Sequence, residues 1–252
     1  MSALHVVAIL AAGVAAGAIN TIVGSGTLIT FPVLLGFGYQ PVVANVSNTI
    51  GLVPGSASGA IGYRRELAGQ GVRTLRLSVA SVSGGVVGAV LLLTLPASAF
   101  KAIVPGFIVI ALALIVFQSR IGRALAARRA GRTRPEHPGL LASLGVFATG
   151  VYGGYFGAAQ GIMLLAILGL ALDDSLQRIN ALKVVLAGLV NFVAGVIFVF
   201  AAHVAWLPAL LIAVGSVAGG VLGAHGGRRL PEPVLRAVIV VVGVFAIVRL
   251  VG

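Results

Sequence analysis

The sequence predicts an all-α, polytopic membrane helix bundle made of two inverted repeats, each a broken helical hairpin followed by three spanning helices. Three observations point there. The 252 residues are 59% hydrophobic and 9% charged, with a mean hydropathy of +1.14. A soluble domain averages about 25% charged residues, and 17 basic and 5 acidic side chains cannot cover a water-facing surface of this size. The chain also divides into apolar stretches of membrane-relevant length, and its two halves match each other at a nearly constant offset.

The composition excludes several classes of protein. A soluble enzyme is ruled out by the charge deficit. A disulfide scaffold or Cys-ligated metal site is ruled out because there is no cysteine. Nothing in the sequence asks for a cofactor. The net charge of +12 does not indicate a nucleic-acid partner. Its basic residues come in short bursts between apolar runs, the arrangement that orients membrane helices, rather than on one face of a polar fold. The start, Met1-Ser2-Ala3-Leu4-His5, carries no basic n-region and no obvious cleavage site, so the first apolar run reads as retained.

Ten apolar segments can be marked. The first half holds 4–23, 27–38, 41–63, 75–95 and 99–118; the second holds 140–158, 161–172, 181–202, 206–226 and 234–251. Residues 119–138, with Arg120, Arg123, Arg128, Arg129, Arg132 and Arg134, form the longest polar stretch and read as a linker. The chain therefore divides into a first repeat (1–118), a basic linker (119–138) and a second repeat (139–252).

An offset of 135 lays Ser81-Val82-Ser83-Gly84-Gly85 on Ser216-Val217-Ala218-Gly219-Gly220, and Leu95-Pro96 on Leu230-Pro231. It also puts Lys101 on Arg236, Asn45 on Asn180 and Asn48 on Lys183. An offset of 133 brings Gly17 onto Gly150 and Gly24 onto Gly157, which fits a two-residue insertion near Leu172-Asp173-Asp174.

Loop charge predicts that the copies are inverted. Arg64, Arg65, Arg73 and Arg76 surround the loop after segment three, whereas its second-half copy near His203 has no Arg or Lys. The next loop reverses this: Leu95–Ser98 is uncharged, and its copy carries Arg228, Arg229 and Arg236. Placing the basic loops and the linker inside leaves both termini outside, with Lys101 and Arg249 as exceptions among the 17 basic residues. Inversion requires segments one and two to make an even number of crossings. Segment two, with 12 residues, spans about 18 Å, too short for a ~30 Å core. A hairpin turning at Gly24-Ser25-Gly26 satisfies this. The 20-residue first segment could instead span alone and make the halves parallel; the charge pattern favours the hairpin.

The candidate chemistry gathers at these breaks. The first contains Asn20, Thr21, Gly24, Ser25, Gly26 and Thr27; the second contains Gly157, Gln160 and Gly161. Non-helical backbone inside a bilayer is tolerated where protein buries it or a cavity takes it. A short helix follows each break, and the free N–H groups and partial positive charge of its start suit an anion. Close helix packing through small residues is the competing reading for the glycines. Segment three adds Asn45 and Asn48, and its copy adds Asn180 and Lys183. A lysine at a helix centre costs about 2.5–3.5 kcal/mol. Lys183 either reaches solute or snorkels to the membrane edge, and Asn45 and Asn180 either meet solute or tie the halves together.

Other features carry less. Ser25 would suit an intramembrane hydrolase only with a base in reach; the histidines inside segments, His203 and His225, have no recognisable partner motif. The five acids (Glu66, Glu136, Asp173, Asp174 and Glu232) fall in loops or at segment edges, so no carboxylate offers itself for ion coupling in mid-membrane.

Two stretches resemble the TauE/SafE family of sulfite and organosulfonate exporters. They are Gly17–Pro32 with Ala44-Asn45-Val46-Ser47-Asn48-Thr49, and, in the second half, Gly150–Gly157 with Asn180-Ala181-Leu182-Lys183. This chain departs from that pattern with Ser25 where a run of glycines is frequent, and with Ala158-Ala159 in the second break. The resemblance implies a bacterial inner-membrane permease for a small sulfur-containing anion. Anion, lipid bilayer and a possible second copy of the chain are then the expected partners. A membrane hydrolase using Ser25 and a non-transporting membrane protein are the alternatives.

Overall fold

A computed structural model describes residues 2–129, 139–226, 240–241 and 244–250, and among these there is no strand. The helices are α1 (Ala3–Ile22), α2 (Thr27–Gly36), α3 (Pro41–Gly62), α4 (Arg64–Leu67), α5 (Gly71–Thr94), α6 (Ala97–Arg129), α7 (Leu140–Tyr155), α8 (Gln160–Ala171), α9 (Leu176–Ala201) and α10 (Trp206–Gly226). Residues 244–250 are also helical. The architecture is the helical membrane bundle expected. Five helices (α1, α5, α6 up to Phe117, α9 and α10) are long and apolar enough to cross a membrane. Helix α3 has 22 residues but is not among them. It carries Asn45, Ser47, Asn48, Thr49 and Ser56, all buried, so its polarity is spent inside the bundle.

Local chemistry sets the boundaries. Pro41 starts α3, where its missing N–H leaves no orphan donor. Ser175 caps α9 by accepting from the Arg178 amide at 3.3 Å. Gly24 (φ +88°) and Gly157 (φ +77°) end the first helix of each half in the left-handed region, which glycine adopts without steric cost.

The two sequence offsets recur in space. Helices α1 and α7 end 133 residues apart (22 and 155), and α2 and α8 begin 133 apart (27 and 160). Helices α3 and α9 begin 135 apart (41 and 176), as do α5 and α10 (71 and 206). The extra pair of residues lengthens α8, with 12 residues against 10 in α2. Each half packs its first helix on the last-but-one helix of the other: α1 on α10, α7 on α5. The contacts repeat at the same offsets. A Cβ on Gly219 would lie 2.0 Å from the Val14 carbonyl oxygen, and one on Gly84 would lie 2.2 Å from that of Phe147. Glycine is what lets these backbones touch.

The same contacts give helix directions. Along α1 and α10, Gly13 meets Ile212, Gly17 meets Ser216 and Ala18 meets Gly223, so the pair is parallel. Helices α3 and α10 are parallel too, through Gly51 with Ile212, Gly55 with Ser216 and Gly62 with Ala224. Equivalent helices α3 and α9, by contrast, run in opposite directions: Gly59 meets Val184, Ser56 meets Gly188 and Ile50 meets Gly195. Because α1 and α3 point the same way, α2 must bring the chain back between them. It does, with Gly26 against the Ala16 carbonyl.

One end of the bundle gathers Arg64, Arg65, Arg73 and Arg178 around the α3–α5 and α8–α9 connections; the other end holds the α2–α3 and α9–α10 connections. At the basic end Asp174 receives Arg73 Nη2 at 2.6 Å and Arg178 Nε at 3.0 Å. Arg178 Nη1 also donates to the Ala68 carbonyl at 3.0 Å, and Gln70 Nε2 to the Arg178 carbonyl at 3.1 Å. This network ties the two halves together outside the apolar core. The helix expected to stop at residue 118 continues to Arg129, since arginines are good helix formers once the chain leaves the apolar layer. The rest of the linker, the basic loop at Arg228, Arg229 and Arg236, and half of the segment expected at 234–251 lie outside the described residues.

Partial burial alone would push the Asp174 carboxyl up; the bonds from Arg73, Arg178 and the Ser175 amide, with the Arg178 charge, outweigh it and hold it below its ordinary value. A lowered carboxylate stabilises the fold above its unfolded pKa of roughly 4, and that contribution is lost as pH falls through the lower folded value. Asp174→Asn should therefore flatten the acid limb of the stability–pH curve in detergent, and Arg73→Gln should do the same without adding to it. Independent, additive effects of the two substitutions would contradict the network.

Candidate functional site

The two breaks meet inside the bundle. The Gly161 amide donates to the Gly24 carbonyl at 3.1 Å, and a Cβ on either glycine would lie 2.3–2.4 Å from the other's Cα. Each break is also held from the opposite half. Asn45 Nδ2 on α3 donates to the carbonyl of Tyr155, the last residue of α7, at 3.0 Å. Its counterpart Asn180 on α9 donates to the carbonyl of Thr21, at the end of α1, at 3.2 Å. The last carbonyls of a helix lack intrahelical partners, and in an apolar layer no water replaces them. Here the replacement is an asparagine from the other repeat.

Lys183 adds to the α1 end. Its side chain is fully buried, and Nζ donates to the carbonyls of Asn20 (3.1 Å) and Thr21 (3.2 Å). It does not snorkel. The partial negative charge of about half a unit at a helix C-terminus compensates part of its charge. Among the described residues both ion pairs belong to Asp174, so no carboxylate completes the compensation. Asn48, the counterpart of Lys183, instead serves the start of α2: it accepts from Thr30 Oγ1 and donates to Thr27 Oγ1 at 3.2 Å.

Several helix-start amides are engaged, whereas those of Ser25, Gly26 and Thr27 have no hydrogen-bond partner among the described residues. Leu28, Ile29 and Thr30 N–H groups bond the Ser25 and Gly26 carbonyls, and those of Gln160, Ile162 and Met163 bond Gly157 and Ala159. Thr21 Oγ1 donates within its own helix to Gly17 at 2.9 Å, and Asn20 Nδ2 donates to Ser56 Oγ at 3.3 Å. Side-chain groups are left unspent as well. Ser25 Oγ, Gln160 Nε2 and Tyr155 OH, with Asn45 Oδ1 and Asn180 Oδ1, are buried and lack a hydrogen-bond partner among the described residues. An unpaired buried polar group costs about 1–3 kcal/mol. All five belong to residues in the two breaks, beside them or bonded to them.

Tyr155 is a residue that the sequence did not single out. Its ring does pack, against Phe100 (5.8 Å between centroids) and Phe107 (6.1 Å), but its hydroxyl is one of the unspent donors. The available signal was a phenol placed immediately before the second break. Neither histidine considered as a base for Ser25 is near the break: His203 lies in the α9–α10 connection, and His225 is in the last turn of α10, on the Val221 carbonyl. Among the described residues no cluster of three His, Asp or Glu side chains could hold a metal ion.

A cleft of about 460 Å3 approaches from the basic end, lined by Ile22, Tyr63, Glu66, Gln177, Asn180 and His225 among others. It stops at Asn180 and Ile22. Ser25, Gln160 and Lys183 lie sealed behind that floor, each at most 3% exposed.

Residues 9–250 match the model of the sulfite exporter TauE/SafE family. A probable membrane transporter protein ORF9 from a Sinorhizobium species is 28% identical, covering 98% of this chain and 93% of its own length. A probable membrane transporter protein of Haemophilus influenzae is 27% identical over 91% of this chain and 88% of its own. The probable membrane transporter protein YfcA of Escherichia coli K12 is 24% identical over 90% and 82%. No solved structure matches the chain.

Gly24 and Gly38 separate backbone conformation from close approach. Both have positive φ, +88° and +84°, but a Cβ on Gly38 meets nothing within 4 Å. Gly38→Ala should cost about 1–2 kcal/mol, the left-handed penalty alone. Gly24→Ala should cost a further 1–3 kcal/mol or so from overpacking against Gly161. Denaturant titration in mixed micelles measures both, and equal losses would mean that the breaks do not touch.

Proposed function

We propose a substrate class and a transport cycle for this chain, which belongs to the sulfite exporter TauE/SafE family and is a membrane transporter. The substrate is a small sulfur-containing anion, sulfite or an organosulfonate, moved across a bacterial inner membrane. The observation that carries this is Lys183: a basic side chain fully buried at the break after α1, with no carboxylate partner among the described residues, in a bundle whose breaks also carry unspent polar groups on Ser25 and Gln160. An anionic ligand with several acceptor oxygens is the class that suits such donors, and charge-assisted bonds are the strong ones.

The cycle follows from what holds the site shut. In the closed arrangement Lys183 and Asn180 bond the end of α1. An anion reaching the floor of the basic-end cleft competes for those donors, and Gly24 and Gly161 separate as the ligand takes the place of their contact. The halves act as an inverted repeat, a reading supported by the opposite directions of α3 and α9, and rocking one against the other exposes the site at alternate ends. The basic end faces the cytoplasm and both termini face out, as the positive-inside rule requires. An inside-negative potential supplies about 2.3 kcal/mol per charge per 100 mV to outward movement of an anion, so export needs no coupling ion.

Proteoliposomes loaded with labelled sulfite or taurine test this. Wild-type protein should release one or both, faster with the basic end inside and an inside-negative potential. Ser25→Ala removes one bond to a charged ligand, about 1.5–3 kcal/mol, and should raise the half-saturating concentration roughly tenfold or more. Lys183→Met should reduce flux further and Lys183→Arg should retain part of it, both eluting as folded protein. Absence of flux of any small sulfur anion in the wild type overturns the proposal.

A further inference from the structure

The bundle has a second cavity, lined in part by two cationic side chains, at the end away from the basic loops. It has a volume of about 490 Å3 and is lined by Gly38, Tyr39, Gln40 and Pro41, by Lys101 from the first turns of α6, and by Arg249. Two features set it apart. Lys101 and Arg249 are the only lysine and arginine that the described structure places at this end, and they come to one cavity from segments far apart in sequence. The described acids, Glu66, Asp173 and Asp174, all lie in connections at the opposite end, so no described carboxylate neutralises the pair. Two like charges on one cavity repel unless an anion sits with them.

The position is also informative. The cavity abuts the corner where α2 turns into α3, at Leu35 and Pro41. Asn45, which holds the α7 break, lies four residues beyond Pro41, about one turn or 6 Å further in. The loop is kept clear by Gly38, around whose missing Cβ there is nothing within 4 Å. The Arg249 guanidinium is steadied over the Phe245 ring, 5.7 Å from its centroid. A volume of this size takes a tetrahedral oxyanion together with water.

We infer that this cavity is a second anion site, in which Lys101 and Arg249 hold a small oxyanion at the mouth opposite the basic cleft, on the path to or from the central breaks. The identity of its ligand as the transported anion rests on the transport reading above; the cavity and its charge do not. A phospholipid phosphate offers the same chemistry, so the test must separate the two sources.

Lys101 and Lys183 are the chain's only lysines, and Lys183 is fully buried. A membrane-impermeant amine reagent, read by peptide mass spectrometry on the full chain, therefore reports on Lys101, with the α-amine as a reference. Sulfate in the millimolar range should slow labelling of Lys101 at least fivefold at constant ionic strength, leaving the α-amine unchanged. Arg249→Gln should abolish the protection without altering the unprotected rate. Protection in lipid-free detergent identifies a soluble anion. Protection by phosphatidylglycerol vesicles but not by sulfate would identify a lipid site and overturn the proposal, as would no protection at all. Sulfate protection in a protein that shows no anion flux would leave this site standing and remove the transport reading.

Discussion

Everything central to this protein depends on two interrupted helices that end inside an apolar layer, where their last carbonyls have no water to turn to. Each end is completed by the other half of the chain. Asn180 and Lys183 reach the end of α1, and Asn45 reaches the end of α7. Neither half can bury its break alone, because the donors it needs are carried by its copy. The interlocking of α1 with α10 and of α7 with α5, through glycines that permit backbone contact, holds those donors in register.

This arrangement explains how a site can be both sealed and poised. The bonds that close it use some donors and leave others idle: Ser25, Gln160 and Tyr155 keep unpaired polar groups behind the floor of the basic-end cleft. Idle buried donors are a cost that the fold carries in its closed form. A ligand that supplies acceptors removes that cost, and the free energy it returns can separate the two glycines in contact. The ion-paired network at Asp174 lies at the same end and joins the same two halves, so any opening of the cleft acts against it.

Charge is distributed along the axis in a matching way. Arginines crowd one end, a single buried lysine stands near the breaks, and a lysine with an arginine lines the cavity at the far end. A small anion thus meets a cation at three levels of a bundle whose described acids are confined to one end. The concentration of arginine at one end is the pattern that orients membrane helices.

Much of this was legible from residues alone. Hydropathy determined the class, because an apolar chain so poor in charge has no soluble alternative. Self-similarity determined the element plan, and the offsets of 133 and 135 reappear as helix ends and starts. The glycine breaks marked where the helices would be interrupted, as Gly24 and Gly157 show. What the tertiary structure decided was the assignment of each polar group. Whether Lys183 snorkels or turns inward, and whether the asparagines meet solute or tie the halves, depend on which atoms approach across 100 or more residues of chain. Periodicity and spacing report only on neighbours along one helix. The lysine turned inward because the carbonyls it needs lie there, and Asn45 and Asn180 spent their amides on the opposite breaks. Tyr155 carries an unspent hydroxyl, which only the absence of a neighbour in space can reveal.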